Sequence, residues 1–448
     1  MGAEPRTARG GAIAGPLRVA LTTLGCKVNY AEMAELAGRL AGIGCDVVPE
    51  DEPADVRVLN SCAVTYQADA TTRQRLRRLR RRDPGCHLIL TGCSVDANPD
   101  WYLAAGIDGN PAVPGLDAVF ANTEKLRIAD HVAALAAGRG DPFRHLPPAG
   151  LRSRAFLKVQ DGCDHRCTYC VVWRTRGASA SVPEEVVMAR AQAAVAAGHA
   201  EVILTGVDLG SYGQDRGSDL TGLVHRLLEG LDGTVRLRLS SINANDIPER
   251  LVELNGDPRL CSHWHIPLQS GSDQVLRAMH RGHRRDRYLR VVEGLRRQDP
   301  DTELTTDVMV GFPGESQEDH EATLRLIDEV EFLGCHVFRY SPRPHTEAAR
   351  LPQQAGDATL RSRSAEVRRV AAASARSRRQ RAVGHKHRVV WDRVTPGEAH
   401  GLTGGYHEMV ADPVPGTRTG GIQTVLATSV EGDRLRGAIL PELGTDEP

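Results

Sequence analysis

One short run decides the fold of this chain, because three cysteines follow directly on a strand-like segment: Val159-Gln160-Asp161-Gly162-Cys163-Asp164-His165-Arg166-Cys167-Thr168-Tyr169-Cys170. The strand-like segment covers residues 156–159, and the cysteines have the spacing C-x3-C-x2-C on the loop after it. In an intracellular protein, clustered cysteines indicate metal ligands rather than disulfides. The run therefore predicts a metal centre at the end of a strand.

The number of ligands limits which centre this run can hold. A structural zinc site takes four protein ligands, and no fourth cysteine lies near Cys163, Cys167 and Cys170. A [4Fe–4S] cluster held by three cysteines leaves one iron open to an external molecule. The spacing is typical of radical S-adenosylmethionine (SAM) enzymes, in which SAM chelates that iron. A zinc site completed by a distant histidine is the alternative.

A second set of cysteines, Cys26, Cys62 and Cys93, repeats one pattern: a strand-like run, a small residue, then the cysteine. Helical spacing of apolar residues between the runs predicts a parallel α/β sheet, whose strand ends meet at the edge where ligands bind. We therefore predict a second open cluster at this trio. Cys45 and Cys86 stand at strand entrances, at the opposite edge, and are not expected to be ligands.

Length and composition set outer limits. The 448 residues suggest about three domains. The formal net charge of −1 excludes a wholly basic nucleic-acid coat, although not a local basic patch. No run of 18 apolar residues occurs, and residues 1–15 lack the apolar stretch of a secretory signal. We expect a cytoplasmic protein that does not bind membranes.

Cys261 and Cys335 are expected to be buried structural thiols.

The sequence resembles the methylthiotransferases, a family of radical SAM enzymes, over residues 17–440. The motifs that carry the resemblance surround all six cysteines and continue through the middle of the chain, at residues 23–29, 60–65, 91–93, 163–177, 204–210, 239–242, 265–272 and 306–315. The resemblance implies two [4Fe–4S] clusters and SAM as cofactors. Their expected ligands are Cys26, Cys62 and Cys93 for one cluster and Cys163, Cys167 and Cys170 for the other.

The expected fold class is α/β with three parts. They are an N-terminal parallel α/β iron–sulfur domain at residues 17–140, a radical SAM partial (β/α)6 barrel at 150–380, and a small β-barrel resembling the RNA-binding TRAM domain at 384–441. Six strand-like segments alternating with helix-like ones support the partial barrel. After Gly384, short alternating segments between Gly and Pro turns predict an antiparallel β-barrel.

Residues at the carboxyl ends of barrel strands are expected to contact SAM, because sites on such barrels collect there. They are Tyr169, Arg176, Thr205, Gly206, Ser240, Ser241, Gln269, Gly311 and Phe312. Arg176 is a candidate partner for the SAM carboxylate, and residues 310–312 would form an apolar ledge for adenine. A turn or cap role without any ligand is the alternative for each residue. No catalytic side chain is assigned beyond the cluster ligands.

Residues 25–29 (Gly-Cys-Lys-Val-Asn) and 340–344 (Tyr-Ser-Pro-Arg-Pro) are similar to the branch that acts on N6-threonylcarbamoyladenosine in tRNA. The resemblance implies that a SAM-derived radical abstracts hydrogen from C2 of this adenosine beside the anticodon, and that the cluster of the second trio supplies the sulfur. Alternatives are action on isopentenyladenosine in tRNA or on a ribosomal-protein aspartate. A non-enzymatic iron–sulfur electron carrier or RNA-binding protein is the other class.

The expected partners are the tRNA anticodon loop and an electron donor such as flavodoxin or ferredoxin, acting on a monomer. Residues 73–82 are Arg-rich without an acidic residue and predict a helix whose positive face neutralises RNA phosphates. An ordinary solvated helix face is the alternative. Tyr406 is the best candidate for base stacking in the C-terminal barrel.

Overall fold

The computed structural model describes residues 16–63, 66–102, 115–136, 153–231 and 233–441. Val64 and Thr65 of the second cysteine motif lie outside the described residues, as do residues 137–140 and 150–152 at the ends of two predicted domains. The chain divides into two compact units, Met1–Gly150 and Leu151–Pro448.

The first unit contains a parallel sheet with the strand order β2-β1-β3-β4-β5. Its strands are β1 (Arg18–Thr23), β2 (Asp46–Val48), β3 (Val56–Ser61), β4 (His87–Gly92) and β5 (Ala118–Phe120). Its helices are α1 (Lys27–Gly42), α2 (Tyr66–Arg82), α3 (Cys93–Ala97), α4 (Pro99–Tyr102) and α5 (Arg127–Ala136). Strands β3 and β4 are almost wholly buried, as expected for central strands of a parallel sheet covered on both faces. The predicted α/β architecture is confirmed.

The second unit begins with a partial barrel. Its strands are β6 (Ala155–Lys158), β7 (Gln160–Asp161), β8 (Ala180–Ser181), β9 (Glu201–Thr205), β10 (Arg236–Leu239), β11 (His263–His265), β12 (Glu303–Val310) and β13 (Gly334–Arg339). Two parallel sheets, β6-β9-β10 and β11-β12-β13, are joined by bridges such as Ser241 to His265. Six parallel strands therefore follow one another around the wall, as the sequence predicted.

Helices cover the outside of this barrel and enclose one large apolar core with the strands. They are α6 (Val172–Arg176), α7 (Glu184–Ala196), α8 (Leu220–Gly230), α9 (Glu249–Glu253), α10 (Asp273–Ala278), α11 (Arg285–Gln298), α12 (Gln317–Val330) and α13 (Asp357–Ala382). In the described ranges, no helix combines the length and the apolar character that a membrane crossing requires.

A closed five-stranded barrel follows, in the order β14-β15-β16-β18-β17. Its strands are β14 (Lys386–Val394), β15 (Ala399–Thr403), β16 (Glu408–Ala411), β17 (Ile422–Glu431) and β18 (Arg434–Ile439). The predicted barrel is confirmed, but the sequence missed β15, and β16 pairs with β18 in parallel rather than antiparallel. Strand β15 contains Gly401, where a Cβ would lie 2.4 Å from the carbonyl oxygen of Val390. A glycine required by close packing interrupts the alternating pattern.

Hydrogen bonds from two buried arginines attach the C-terminal barrel to the amino ends of the partial-barrel strands. Glu201, the first residue of β9, binds Arg236 at 2.5 Å and Arg238 at 2.8 Å, and all three side chains are buried. Arg236 also donates to the carbonyl oxygen of Leu402 (2.8 Å), and Arg238 donates to that of Thr403 (2.9 Å). The C-terminal barrel therefore lies opposite the carboxyl edge, where ligands are expected to bind.

The same interface contains Tyr406. Its ring stacks on His263 of β11, with ring centroids 4.1 Å apart and planes inclined by 11°. The guanidinium of Arg238 lies 5.3 Å from the Tyr406 ring centroid. One face of the Tyr406 ring is therefore occupied within the protein, while the side chain is only partly buried. Base stacking by Tyr406 stays a prediction.

Replacing Glu201 with glutamine is expected to lower the free energy of unfolding by about 3–5 kcal/mol, because Arg236 and Arg238 would remain buried without their counter-ion. The two arginines also hold the pKa of Glu201 well below its usual range, although burial opposes them. Its stabilisation is therefore present above about pH 4 and is lost as the pH falls further. Chemical denaturation at pH 7 measures the first effect. The exposed Glu229→Gln variant should change little, and an equal loss in both variants would contradict the prediction.

Candidate active site

The cysteine loop (residues 162–170) leaves the partial barrel through a turn that only glycine fits. Gly162 has φ +74°, and a Cβ there would lie 1.9 Å from the carbonyl oxygen of Ala178. The next backbone N–H, of Cys163, donates to the carbonyl oxygen of Gly177 at 3.1 Å. Any side chain at 162 would separate these two segments and move the first cysteine.

The far side of the loop is anchored by buried Thr168. Its N–H donates to the carbonyl oxygen of Met279 (3.2 Å), and its hydroxyl donates to that of Ala278 (2.9 Å). The Thr168 carbonyl oxygen accepts from the N–H of Ala348 at 2.9 Å. Cys167 and Cys170, on either side of Thr168, are thus fixed by two distant segments of the chain.

The three cysteines of the loop are free thiols, so all three sulfurs are available to bind metal. Burial, assisted by the Asp208 carboxylate, raises the pKa of the Cys163 thiol to about 12. Metal binding at this thiol would therefore release a proton.

A polar network that the sequence analysis missed lies beside the cysteine loop. His165 contacts the carboxylates of Asp208 and Asp246 at 3.2 Å each, and Asn243 donates to both at 3.1 Å. Hydrogen bonds to the two carboxylates raise the pKa of His165 to about 10. The aspartates and Asn243 follow the carboxyl ends of β9 and β10, and this position was the available signal. Arg281 completes the network by donating to Asn243.

The structure places the predicted SAM-contacting residues at the carboxyl edge of the barrel, where the cysteine loop also lies. Two of them have features that their local fold does not explain. The Ser240 hydroxyl is buried and has no hydrogen-bond partner among the described residues. Gln269 has φ +67°, a costly conformation for a residue with a side chain. Both features are typical of binding sites.

For other predicted contacts, the structure supplies a packing or pairing role. A Cβ on Gly206 would lie 2.8 Å from the side-chain oxygen of Gln160, and a Cβ on Gly311 would lie 2.1 Å from a methyl carbon of Leu360. The Arg176 guanidinium already binds the Asp161 carboxylate at 2.9 Å. Contact of these three residues with SAM remains a prediction.

Tyr169 and Phe312 belong to one apolar cluster at this edge. Phe312 is fully buried, with its ring edge against Tyr340 at a centroid distance of 5.8 Å. Tyr169 is partly buried, and burial raises the pKa of its hydroxyl. The roles of both residues, like those of Thr205 and Ser241, stay predictions.

The second cysteine trio occupies the carboxyl edge of the N-terminal sheet. Cys26, Cys62 and Cys93 follow β1, β3 and β4, which are neighbours in the sheet. By contrast, Cys45 and Cys86 precede β2 and β4 and are buried at the opposite edge. The predicted separation of the two sets is observed.

Two glycines bring the three strand ends into contact. Gly25 has φ +101°, and a Cβ there would lie 2.8 Å from Cys62 Sγ. Gly92 has φ +104°, and a Cβ there would lie 2.5 Å from the backbone nitrogen of Ser61. The glycines before Cys26 and Cys93 therefore permit the close approach that a shared cluster would require.

Asn122, which the sequence analysis did not single out, also faces this trio. Its Nδ2 lies 3.6 Å from Cys93 Sγ and 2.5 Å from the Asp96 carboxylate. Lys125 donates to Asn122 Oδ1 at 3.0 Å and forms a buried ion pair with Glu32. Asn122 follows β5, the strand next to β4, so its place at the same edge was the available signal.

The arginines of α2 divide into two sets. Some bind the protein itself: Arg75 pairs with Glu50, Arg80 pairs with Asp117 at 2.5 Å, and the Arg73 guanidinium lies 4.7 Å from the Trp101 ring. Others, including Arg78, are exposed. Fewer arginines of α2 are therefore available to RNA phosphates than the sequence suggested.

Comparisons with known proteins agree with this geometry. Residues 157–327 match the radical SAM superfamily, and residues 18–107 match an uncharacterised protein family, UPF0004. The solved structure of TsrM from Kitasatospora setae, a radical SAM methyltransferase, has a TM-score of 0.54 at 12% identity, covering 74% of this chain and 75% of that one. That likeness concerns the fold alone. The chain is therefore a radical SAM enzyme. Membership of this class implies SAM and a [4Fe–4S] cluster.

Curated relatives narrow this class. The chain is 35% identical to threonylcarbamoyladenosine tRNA methylthiotransferase MtaB of Thermotoga maritima, covering 92% of this chain and 94% of the relative. It is 34% identical to tRNA-2-methylthio-N(6)-dimethylallyladenosine synthase of Cereibacter sphaeroides, covering 93% and 97%. The chain belongs to the radical SAM methylthiotransferase family.

Proposed function

We propose that this enzyme adds a methylthio group to C2 of N6-threonylcarbamoyladenosine beside the tRNA anticodon. The observation that carries the proposal is the pair of cysteine trios, each at the carboxyl edge of its own parallel sheet. Several MtaB relatives, at 33–36% identity, support this substrate. The motifs at residues 25–29 and 340–344 favour it over isopentenyladenosine.

The residues that would hold the cofactors are the cysteines at the carboxyl edges of the two parallel sheets. Cys163, Cys167 and Cys170 would hold the SAM-binding cluster, and a second [4Fe–4S] cluster would bind at the N-terminal trio. When bound, SAM at a reduced cluster supplies the 5′-deoxyadenosyl radical that abstracts hydrogen. The protein's own part is to position these groups and to exclude water. The predicted residues at the carboxyl edge, with Ser240 and Gln269 the best supported, would contact SAM.

Three further assignments belong to this proposal. The domains are the iron–sulfur domain at 17–140, the radical SAM domain at 150–380 and a TRAM-like RNA-binding barrel at 384–441. An unstacked anticodon-loop adenosine enters a pocket at low cost, which favours tRNA over duplex substrates. A flavodoxin or ferredoxin would donate electrons to a cytoplasmic monomer.

Nucleoside analysis of tRNA from a deletion strain tests the function. We expect the 2-methylthio derivative of N6-threonylcarbamoyladenosine to disappear and its unmodified form to accumulate, because the enzyme acts after that base is formed. The native gene should restore the product, whereas a Cys163→Ala gene should not. An unchanged tRNA profile would refute the proposal. Selective loss of methylthio-isopentenyladenosine would show that isopentenyladenosine is the substrate instead.

A further inference from the structure

Arg281 contacts one of the cysteine sulfurs. It lies in the turn between α10 and α11, and its Nη1 is 3.6 Å from Cys167 Sγ. Its Nη2 donates to the side-chain oxygen of Asn243 at 2.5 Å and approaches the carbonyl oxygen of Pro267 at 3.5 Å. The guanidinium is therefore held from the side opposite the sulfur.

Asn243 is itself fixed, so the position of Arg281 is determined by more than one contact. The Asn243 amide donates to Asp208 and to Asp246 at 3.1 Å each, which sets the direction of its oxygen. That oxygen points to Arg281 because the amide nitrogen is committed to the two carboxylates. The guanidinium is thus aimed at Cys167 before any cofactor binds.

Charge gives this contact its significance. Among the described residues, Arg281 forms no ion pair, and the Asp246 carboxylate acts on it only from a greater distance than the Cys167 sulfur. On the other side of the loop, Cys163 Sγ lies 3.9 Å from an Asp208 carboxylate oxygen. One ligand sulfur therefore faces a positive charge and another faces a negative one.

We propose that Arg281 is a positioning residue that raises the reduction potential of the cluster held by Cys163, Cys167 and Cys170. A cluster that gains an electron gains negative charge, and a fixed cation beside a ligand sulfur stabilises the reduced form. The electron comes from the external donor and no bond to Arg281 forms. This inference rests on the proposed assignment of these cysteines as ligands.

The test is a redox titration of anaerobic full-length protein, followed by electron paramagnetic resonance. A background with Cys26, Cys62 and Cys93 all replaced by alanine isolates the cluster in question. At a fixed potential, Arg281→Met should lower the ratio of reduced to oxidised cluster at least tenfold, which is about 59 mV for a one-electron couple. Arg281→Lys, which keeps the positive charge, should lower this ratio less than Arg281→Met does.

Arg287 provides the matched control, because its guanidinium donates to the carbonyl oxygen of Ile247 and not to a sulfur. Arg287→Met should leave the potential unchanged. An unchanged potential in Arg281→Met with full iron content overturns the inference, and a simultaneous fall in SAM affinity would assign Arg281 to SAM instead. Absence of iron from the background variant itself would instead refute the ligand assignment.

Discussion

Replacement of Cys163, Cys167 and Cys170 together by alanine is expected to abolish reductive cleavage of SAM to 5′-deoxyadenosine. These sulfurs lie on the loop that follows Gly162 and is anchored at Thr168, and without them no iron remains for SAM to chelate. Iron content should fall by about four atoms per chain. Anaerobic reconstitution, iron and sulfide analysis and quantification of 5′-deoxyadenosine measure both effects.

The control for this loss is Cys261→Ala. Cys261 is buried between β10 and β11, away from the loop, and burial raises the pKa of its thiol. We expect native iron content and native SAM cleavage from this variant. Continued SAM cleavage by the triple variant would show that the cysteine loop is not part of the site that cleaves SAM.

The second large effect is expected at the N-terminal trio. Cys93→Ala should lower the iron content by about four atoms and eliminate the methylthio product, while reductive SAM cleavage continues at the other cluster. The physical reason is that Cys93 lies at the sheet edge shared with Cys26 and Cys62. Iron counting, SAM cleavage and nucleoside analysis on one preparation separate the two functions.

Cys86→Ala is the matched control, because Cys86 directly precedes the strand that Cys93 follows. Its thiol is buried at the opposite edge, and burial raises its pKa. This variant should keep its iron. Equal iron loss from both variants would mean that the trio has been wrongly chosen.

The fold was largely predictable because its signals are local. Strand-like runs ending in Cys26, Cys62 and Cys93 required only a parallel sheet to place the three thiols together. The failures were also local in origin. Strand β15 was missed because Gly401 breaks its pattern. The stacking of Tyr406 on His263 was not predicted, because an isolated aromatic residue does not indicate its neighbours in the fold.

The partners of the cysteines were not predictable in the same way. Arg281 and Cys167 are 114 positions apart, and Asn122 and Cys93 are 29 apart. Neither pair has a spacing that marks it, since Arg281 lies in a turn between two helices and an asparagine after a strand is common in turns. They become neighbours only when the order of the strands has been set.

The sequence alone predicted which cysteines are the metal ligands, because spacing within a loop and at successive strand ends is a property of neighbouring residues. Only the tertiary structure decided which charges face those ligands and where the C-terminal barrel attaches. Those contacts join segments that are distant in the chain, such as Arg238 with Thr403. Their energies depend on burial and distance, which no local pattern of residues records.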